Sequence, residues 1–291
     1  MRRSRFLYFA AGSTAFLVAS RARAAALGTN ARLAALEART GGRLGVHAIA
    51  TRTGTTIGHR ANERFPMCST FKFLLIAAVL ARVDLRGEHL ERPLSYGKRD
   101  LLAYAPVTTA HVGGGQMTVA DLCAATISYS DNTAANLLLQ AVGGPREVTR
   151  YARSIGDTMT RLDRGEPSLN SAVAGDPRDT TAPASMTGNL HHVLLGGALS
   201  PASRERLESW MTACRTGRDC IRAGVPTAWR VGDKTGSGEN NTRNDIAILR
   251  PPAGGAILVA AYLTGAHVSG RDRDAALAEI GRIVSATFAA A

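Results

Sequence analysis

Ser69-Thr70-Phe71-Lys72-Phe73-Leu74-Leu75-Ile76-Ala77-Ala78-Val79-Leu80 marks the point where the chain turns from strand-like to helical patterning. Its apolar run predicts a helix over 71–83. On the N-terminal side, Ala31 to Leu36 reads as a helix ending near Gly41-Gly42. It is followed by strands over 44–51 and 55–60 joined by a short Thr-Gly turn. On the C-terminal side the signals stay helical to about Leu199, over 119–129, 132–142, 146–154 and 184–195, with Gly/Pro/Asp-rich connections. Strands return over 229–235, 245–249 and 256–263, and a final helix runs over 272–288. Strands at both ends with helices between predict an α/β chain of the α+β type. An antiparallel five-stranded sheet is built from both chain ends and flanked by helices, with an all-helical part inserted. The expected organisation is a single domain over 25–291, its α/β part 25–65 plus 213–291 and its helical part 66–212. A ligand cleft belongs where the two parts meet.

The 291 residues are 45% hydrophobic and 20% charged, a globular balance that excludes a disordered or collagenous chain. Residues 1–24 read as a secretory signal: Arg2, Arg3 and Arg5 precede an apolar stretch from Phe6 to Ala19, and Ala22-Arg23-Ala24 offers a cleavage site. The Arg2-Arg3 pair loosely fits twin-arginine export, and ordinary secretion fits equally. The formal charge is +12; the signal carries five arginines and no acid, so its removal leaves +7. The arginines are scattered without a basic block, which points to a solvated surface or an anionic small substrate rather than nucleic acid. The apolar stretch is broken by Gly12, Ser13 and Thr14 and is shorter than a bilayer span, so the mature protein is expected to be exported, soluble and free of membrane.

Only three lysines occur: Lys72, Lys98 and Lys234. Helical spacing puts Ser69 and Lys72 on one face, and desolvation by the apolar run favours the neutral, proton-accepting amine. By itself S-x-x-K is weak, since an N-cap serine followed by a solvated lysine explains it. Ser95-Tyr96-Gly97-Lys98 fits the same pattern, yet Pro93 and Gly97 make it a turn. Three further elements change the weight: Ser130-Asp131-Asn132 between two helical runs, Glu166-Pro167-Ser168-Leu169-Asn170 in an apolar-poor stretch, and Lys234-Thr235-Gly236 at a strand end. Each alone is an ordinary cap, loop or turn; all four in this order form a multi-part signature.

With these motifs the chain resembles the class A serine β-lactamases over about residues 31–288. The resemblance implies the serine β-lactamase/penicillin-binding-protein-like fold and a small-molecule β-lactam substrate. It implies Ser69 as nucleophile and Lys72 as the group that takes or relays its proton. Ser130 would pass a proton to the departing ring nitrogen, and Asn132 would bind the substrate's side-chain amide. Glu166 with Asn170 would activate the water that frees the acyl-enzyme; whether Lys72 or Glu166 is the acylation base stays open. Backbone N–H groups of Ser69 and Ser237 would form an oxyanion hole. Lys234, Thr235, Gly236, Ser237 and Arg243 would line the site that receives the substrate carboxylate. The resemblance also implies an Arg164–Asp179 ion pair at the neck of a loop, and Tyr104 at the cleft rim. Trp210 and Trp229 would be packing residues.

No cofactor or metal is expected, since the seven histidines form no H-E-x-x-H and His191-His192 cannot share a helix face. Four cysteines, Cys68, Cys123, Cys214 and Cys220, allow disulfides in an oxidising compartment, and a Cys214–Cys220 bond could close the loop between them. Many family members pair the position of Cys123 with a cysteine where Ile76 stands here. Some carbapenem-hydrolysing members pair the cysteine before the nucleophile with one where Gly238 stands, so Cys68 does not establish carbapenem hydrolysis. The expected function is an exported monomer that opens penicillins and cephalosporins and so confers antibiotic resistance, with extension to carbapenems left open. Two alternatives are weighed: a penicillin-binding D-Ala-D-Ala carboxypeptidase, which lacks a dedicated deacylating glutamate, and a non-enzymatic envelope module.

Overall fold

The computed structural model describes residues 28–289, so the signal segment lies outside the described residues. The first helix, α1 (28–40), ends where Gly41 takes a φ of +69°, a left-handed turn open to glycine. Strands β1 (Arg43–Ala50) and β2 (Thr56–His59) follow as an antiparallel pair with Val46 opposite His59. Strands β7 (Arg230–Gly238), β8 (Thr242–Arg250) and β9 (Ile257–Thr264) complete a sheet of order β2-β1-β9-β8-β7, antiparallel at every pairing. The N-terminal strand thus pairs with the last one along its whole length, from Arg43 opposite Thr264 to Ala50 opposite Ile257.

This joining of the chain ends follows from strand composition. Every residue of β9 is buried, the pattern of a central strand covered on both faces. Leu258, Ala260 and Tyr262 point into the core shared with the helical part, whereas Ile257, Val259, Ala261 and Leu263 meet the core beneath the terminal helices. The second core is closed by α1 through Leu33 and Leu36 and by α9 (Gly270–Ala289) through Ala276, Leu277, Ile280, Ile283, Val284 and Phe288. That three-and-four spacing is an amphipathic stripe.

The inserted part is built around α2 (Phe71–Asp84), whose residues 71–80 are all buried because α4 (Val119–Ser128), α5 (Asn132–Val142), α6 (Pro145–Ser154) and α8 (Pro201–Thr212) surround it. A helix packed on all sides carries no polar face. Between core and sheet, α7 (Pro183–Leu194) lies on β1 and β9. Short ribbons tie the parts together: β3 (Phe65–Pro66) pairs with β6 (Thr180–Thr181), and β4 (Pro93–Ser95) with β5 (Gln116–Thr118).

Three features differ from the sequence expectation. The helix α3 (Pro106–His111) and α8 were not anticipated: α3 buries only Thr108, and α8 buries only Ser203, Leu207 and Met211, too sparse a stripe to register. The paired strands β7 and β8 extend beyond the expected limits, so Lys234-Thr235-Gly236 lies within β7 rather than at its end. Their hairpin turns at Asn240 and Asn241, both with positive φ, as a type I′ turn requires.

Candidate active site

Ser69 sits in a one-turn 3₁₀ segment (Cys68–Thr70) that leads directly into α2. One helical turn later Lys72 is fully buried, and its Nζ donates to Ser130 O at 2.7 Å, to Asn132 Oδ1 at 2.6 Å and to Ser130 Oγ at 3.3 Å. Ser69 Oγ donates to Glu166 Oε1 at 2.9 Å, and Lys72 Nζ lies 3.0 Å from that same oxygen. Hydroxyl and amine thus meet through one buried carboxylate. Burial holds the Lys72 amine below its ordinary pKa, against the opposing pull of Glu166.

Ser130 lies between α4 and α5 with a φ of +59°, a strained conformation for a residue with a side chain. Buried Asp131 holds it: one carboxylate oxygen accepts from the Val107 and Thr108 amides of α3, and the other from Ala134 N at the start of α5. The unforeseen α3 therefore braces this loop. Ser130 Oγ is left facing two amines, accepting from Lys234 Nζ at 2.9 Å as well as from Lys72. Desolvation, reinforced by the nearby Lys72 charge, brings the fully buried Lys234 down to about 7.

Glu166 enters on the segment between α6 and α7. At its neck Arg164 Nε donates to Asp179 Oδ2 at 2.6 Å, while Asp179 Oδ1 accepts from the Asp163 and Arg164 amides. The glutamate is clamped by Asn136, whose side chain accepts from Glu166 N and donates to Glu166 O, and by Asn170 Nδ2, which donates to Oε2. Sequence reasoning missed Asn136; its position four residues after Asn132 on α5, hence on the same face, was the available signal.

On the opposite wall β7 is the edge strand of the sheet. Alternate amides of an edge strand lack a sheet partner and face outward. Gly236 allows the approach: a Cβ there would stand 2.8 Å from Met67 O and 3.3 Å from Ser69 N. Beyond it, Arg243 of β8 donates to Ser237 Oγ at 2.9 Å and to Thr216 O at 3.1 Å, with Asp274 as its counter-ion at 2.6 Å. Thr216 and Thr235 share a hydrogen bond of 2.5 Å between their hydroxyls. Thr216 and Asp274 were not singled out in the sequence.

These walls enclose a cleft of about 540 Å³, lined among others by Ser69, Tyr104, Ser130, Asn132, Asn170 and Arg243. Tyr104 is half exposed at the rim, and its carbonyl accepts from Asn132 N. In the second tetrad Ser95 ends β4 and Lys98 opens a separate one-turn 3₁₀ segment, both exposed, so no continuous helix joins that serine to that lysine. The Cys214–Cys220 bond expected as possible is not formed. All four cysteines are free thiols, Cys214 Sγ turning to Thr216 and Cys220 Sγ to Arg243 and Asp274. Among the described residues no group of three or more His, Cys, Asp or Glu could hold a metal ion, and no helix is long and apolar enough to cross a membrane.

A buried serine sharing a carboxylate with a lysine, a second serine between two amines, and an edge strand beside a guanidinium form an arrangement that can carry out serine acyl transfer. The family model described as the beta-lactamase enzyme family matches residues 29–288. Beta-lactamase L2 of Stenotrophomonas maltophilia is 51% identical over 275 residues, spanning 94% of this chain and 89% of that protein. The solved structure of the last common ancestor of Gram-negative bacteria (GNCA4) beta-lactamase class A is 59% identical with a TM-score of 0.88, covering 89% of this chain and 99% of its own. The putative class A beta-lactamase PenP from Rhodopseudomonas palustris is 52% identical with a TM-score of 0.88, covering 90% and 100%. This chain belongs to the β-lactamase enzyme family. Within it the chain is a class A serine β-lactamase, an enzyme that hydrolyses β-lactams and so serves antibiotic resistance.

Proposed function

We propose that this enzyme is exported by its N-terminal signal and, as a monomer without a nucleic-acid partner, opens penicillins and cephalosporins through a covalent acyl-enzyme on Ser69. The observation that carries the mechanism is the single oxygen, Glu166 Oε1, that touches both Ser69 Oγ and Lys72 Nζ. As Ser69 Oγ attacks the lactam carbonyl its proton leaves into this Glu166–Lys72 pair. The carbonyl oxygen turns toward the amides of Ser69 and Ser237, where developing charge is stabilised. Ser130, within reach of two amines, delivers a proton to the ring nitrogen as the C–N bond breaks. Lys234, Thr235, Ser237 and Arg243 hold the ring carboxylate, and Asn132 the side-chain amide.

Deacylation needs a water polarised by Glu166. Asn170 Oδ1, beside that carboxylate, is buried without a hydrogen-bond partner among the described residues and is an acceptor for it. A dedicated deacylating base favours a β-lactam hydrolase over a penicillin-binding D-Ala-D-Ala carboxypeptidase, which without such a base leaves its β-lactam acyl-enzyme to persist. The pairing that some carbapenem-hydrolysing members use has no counterpart: Cys68 is free, and Gly238 stands opposite its sulfur. A carbapenem therefore belongs in the substrate panel beside a penicillin and an oxyimino-cephalosporin.

The test is intact-protein mass spectrometry after mixing with benzylpenicillin. Glu166→Ala is expected to accumulate a one-penicillin adduct, because only the second half-reaction loses its base. Ser69→Ala gives no adduct, and exposed Ser95→Ala turns over normally. Full turnover by Glu166→Ala without adduct overturns the role.

A further inference from the structure

The cleft carries two charged side chains among its lining residues, and both are arginines. They are not equivalent. Arg243 is neutralised by Asp274 and engaged by Ser237, Thr216 and Cys220. Arg215 is exposed and has no ion pair or side-chain hydrogen bond among the described residues. Its backbone, by contrast, is held on both sides. Arg215 N donates to Ser128 O at 2.8 Å at the end of α4, and the next residue, Thr216, is bonded to both Thr235 and Arg243. A fixed stretch of backbone therefore presents an uncompensated guanidinium to the cleft beside its carboxylate-receiving edge.

We infer that Arg215 forms a second anion subsite that selects cephalosporins bearing an acidic group on the C3 substituent. This rests on the reading proposed above for how the nucleus is seated. With the lactam carbonyl at Ser69, the side-chain amide at Asn132 and the C4 carboxylate at Thr235, Ser237 and Arg243, C3 is the ring carbon next to C4. Its substituent leaves the ring on the carboxylate side, away from Asn132 and Asn170, and toward the Arg215-Thr216 stretch. An anion placed there meets a permanent cation that has no internal carboxylate to displace. Penicillins have no such arm, so the subsite discriminates within the cephalosporins. The contact exists in the bound state and in the transition state alike, so it lowers KM and leaves kcat unchanged. Arg218 lies three residues along the same loop, exposed, and outside the cleft lining, beside Asp219. It serves as the control for the general attraction of a basic protein for a dianion.

The experiment compares two cephalosporins with the same acyl side chain and non-expelled C3 arms, 4-carboxystyryl and its uncharged isostere 4-carbamoylstyryl. The readout is the ratio of their KM values within each enzyme, which cancels any general loss of activity. The wild type is expected to favour the carboxylate about fivefold, the size of an exposed charge pair. Arg215→Ala brings the ratio to near one, Arg215→Lys keeps most of it, and Arg215→Glu reverses it. Arg218→Ala retains the wild-type ratio, and added salt erodes it. A wild-type ratio of one, a ratio that survives in Arg215→Ala, or an equal loss in Arg218→Ala overturns the subsite. Failure of the wild type to hydrolyse either cephalosporin or benzylpenicillin instead overturns the underlying reading.

Discussion

The edge proposed to receive the substrate carboxylate includes a lysine held near its own titration point at neutral pH. Burial and the neighbouring Lys72 charge bring Lys234 to about 7, so the free enzyme loses that cation as pH rises through this value. Because kcat/KM reports the free enzyme, its alkaline limb for benzylpenicillin is expected at about pH 7. In Lys234→Arg, whose guanidinium stays protonated, the limb moves to higher pH; a profile identical to wild type rejects the assignment. The residues that the fold brings together around Glu166 were legible because Ser, Lys and Glu at these spacings are rare in combination, and only three lysines had to be considered. Their supports were not. Asn136 and Thr216 look like ordinary helix or loop residues until the fold brings Glu166 and Arg243 against them. Arg215 was hidden similarly: a scattered arginine among many, distinguished only by lining the cleft unpaired.

At the scale of elements, the segment between α6 and α7 holds Glu166, the proposed deacylating base, and its neck is fastened by one buried acid. Asp179 is fully buried and holds the Arg164 side chain and two amides through its two oxygens. Asp179→Ala removes both acceptor oxygens and all three hydrogen bonds at once, leaving the donors unmet. The expected cost is about 3 kcal/mol, a fall in Tm of roughly 6–12 °C by thermal denaturation. Turnover should fall further than acylation, since Glu166 and Asn170 ride on this segment; an unchanged Tm contradicts the neck's role. The major elements were legible from period and punctuation. α5 matches its expected limits because Asp131 caps it and Gly143 ends it. α8 escaped notice because three buried positions in twelve make a weak stripe, although Ser200 caps it at the start. The ends of β7 and β8 escaped because Gly236, Gly238 and Asn244 have poor strand preference and are held there by pairing across the sheet.

At the scale of the whole molecule, the sheet separates two cores, and the residues of the proposed mechanism come from both sides of the seam. Ser69, Lys72, Ser130 and Glu166 belong to the inserted part, and Lys234, Thr235 and Arg243 to the sheet. A chain this long exceeds the size for which one cooperative transition is the rule. Activity is therefore expected to disappear at a lower guanidinium concentration than helical circular dichroism, because slight separation at the seam misaligns the site before either core melts. Coincident midpoints would contradict this. The local pattern of apolar period, caps and turn residues, together with the order of four short motifs, was enough to determine the fold class and to single out the groups proposed to react, because those choices are made by near neighbours along the chain. Tertiary structure alone decided that β1 pairs with β9, that one oxygen of Glu166 meets both Ser69 and Lys72, and that Arg215 lines the cleft with no ion pair or side-chain hydrogen bond among the described residues. These depend on distances between residues tens to hundreds of positions apart, which only the packing of the two cores against the sheet sets.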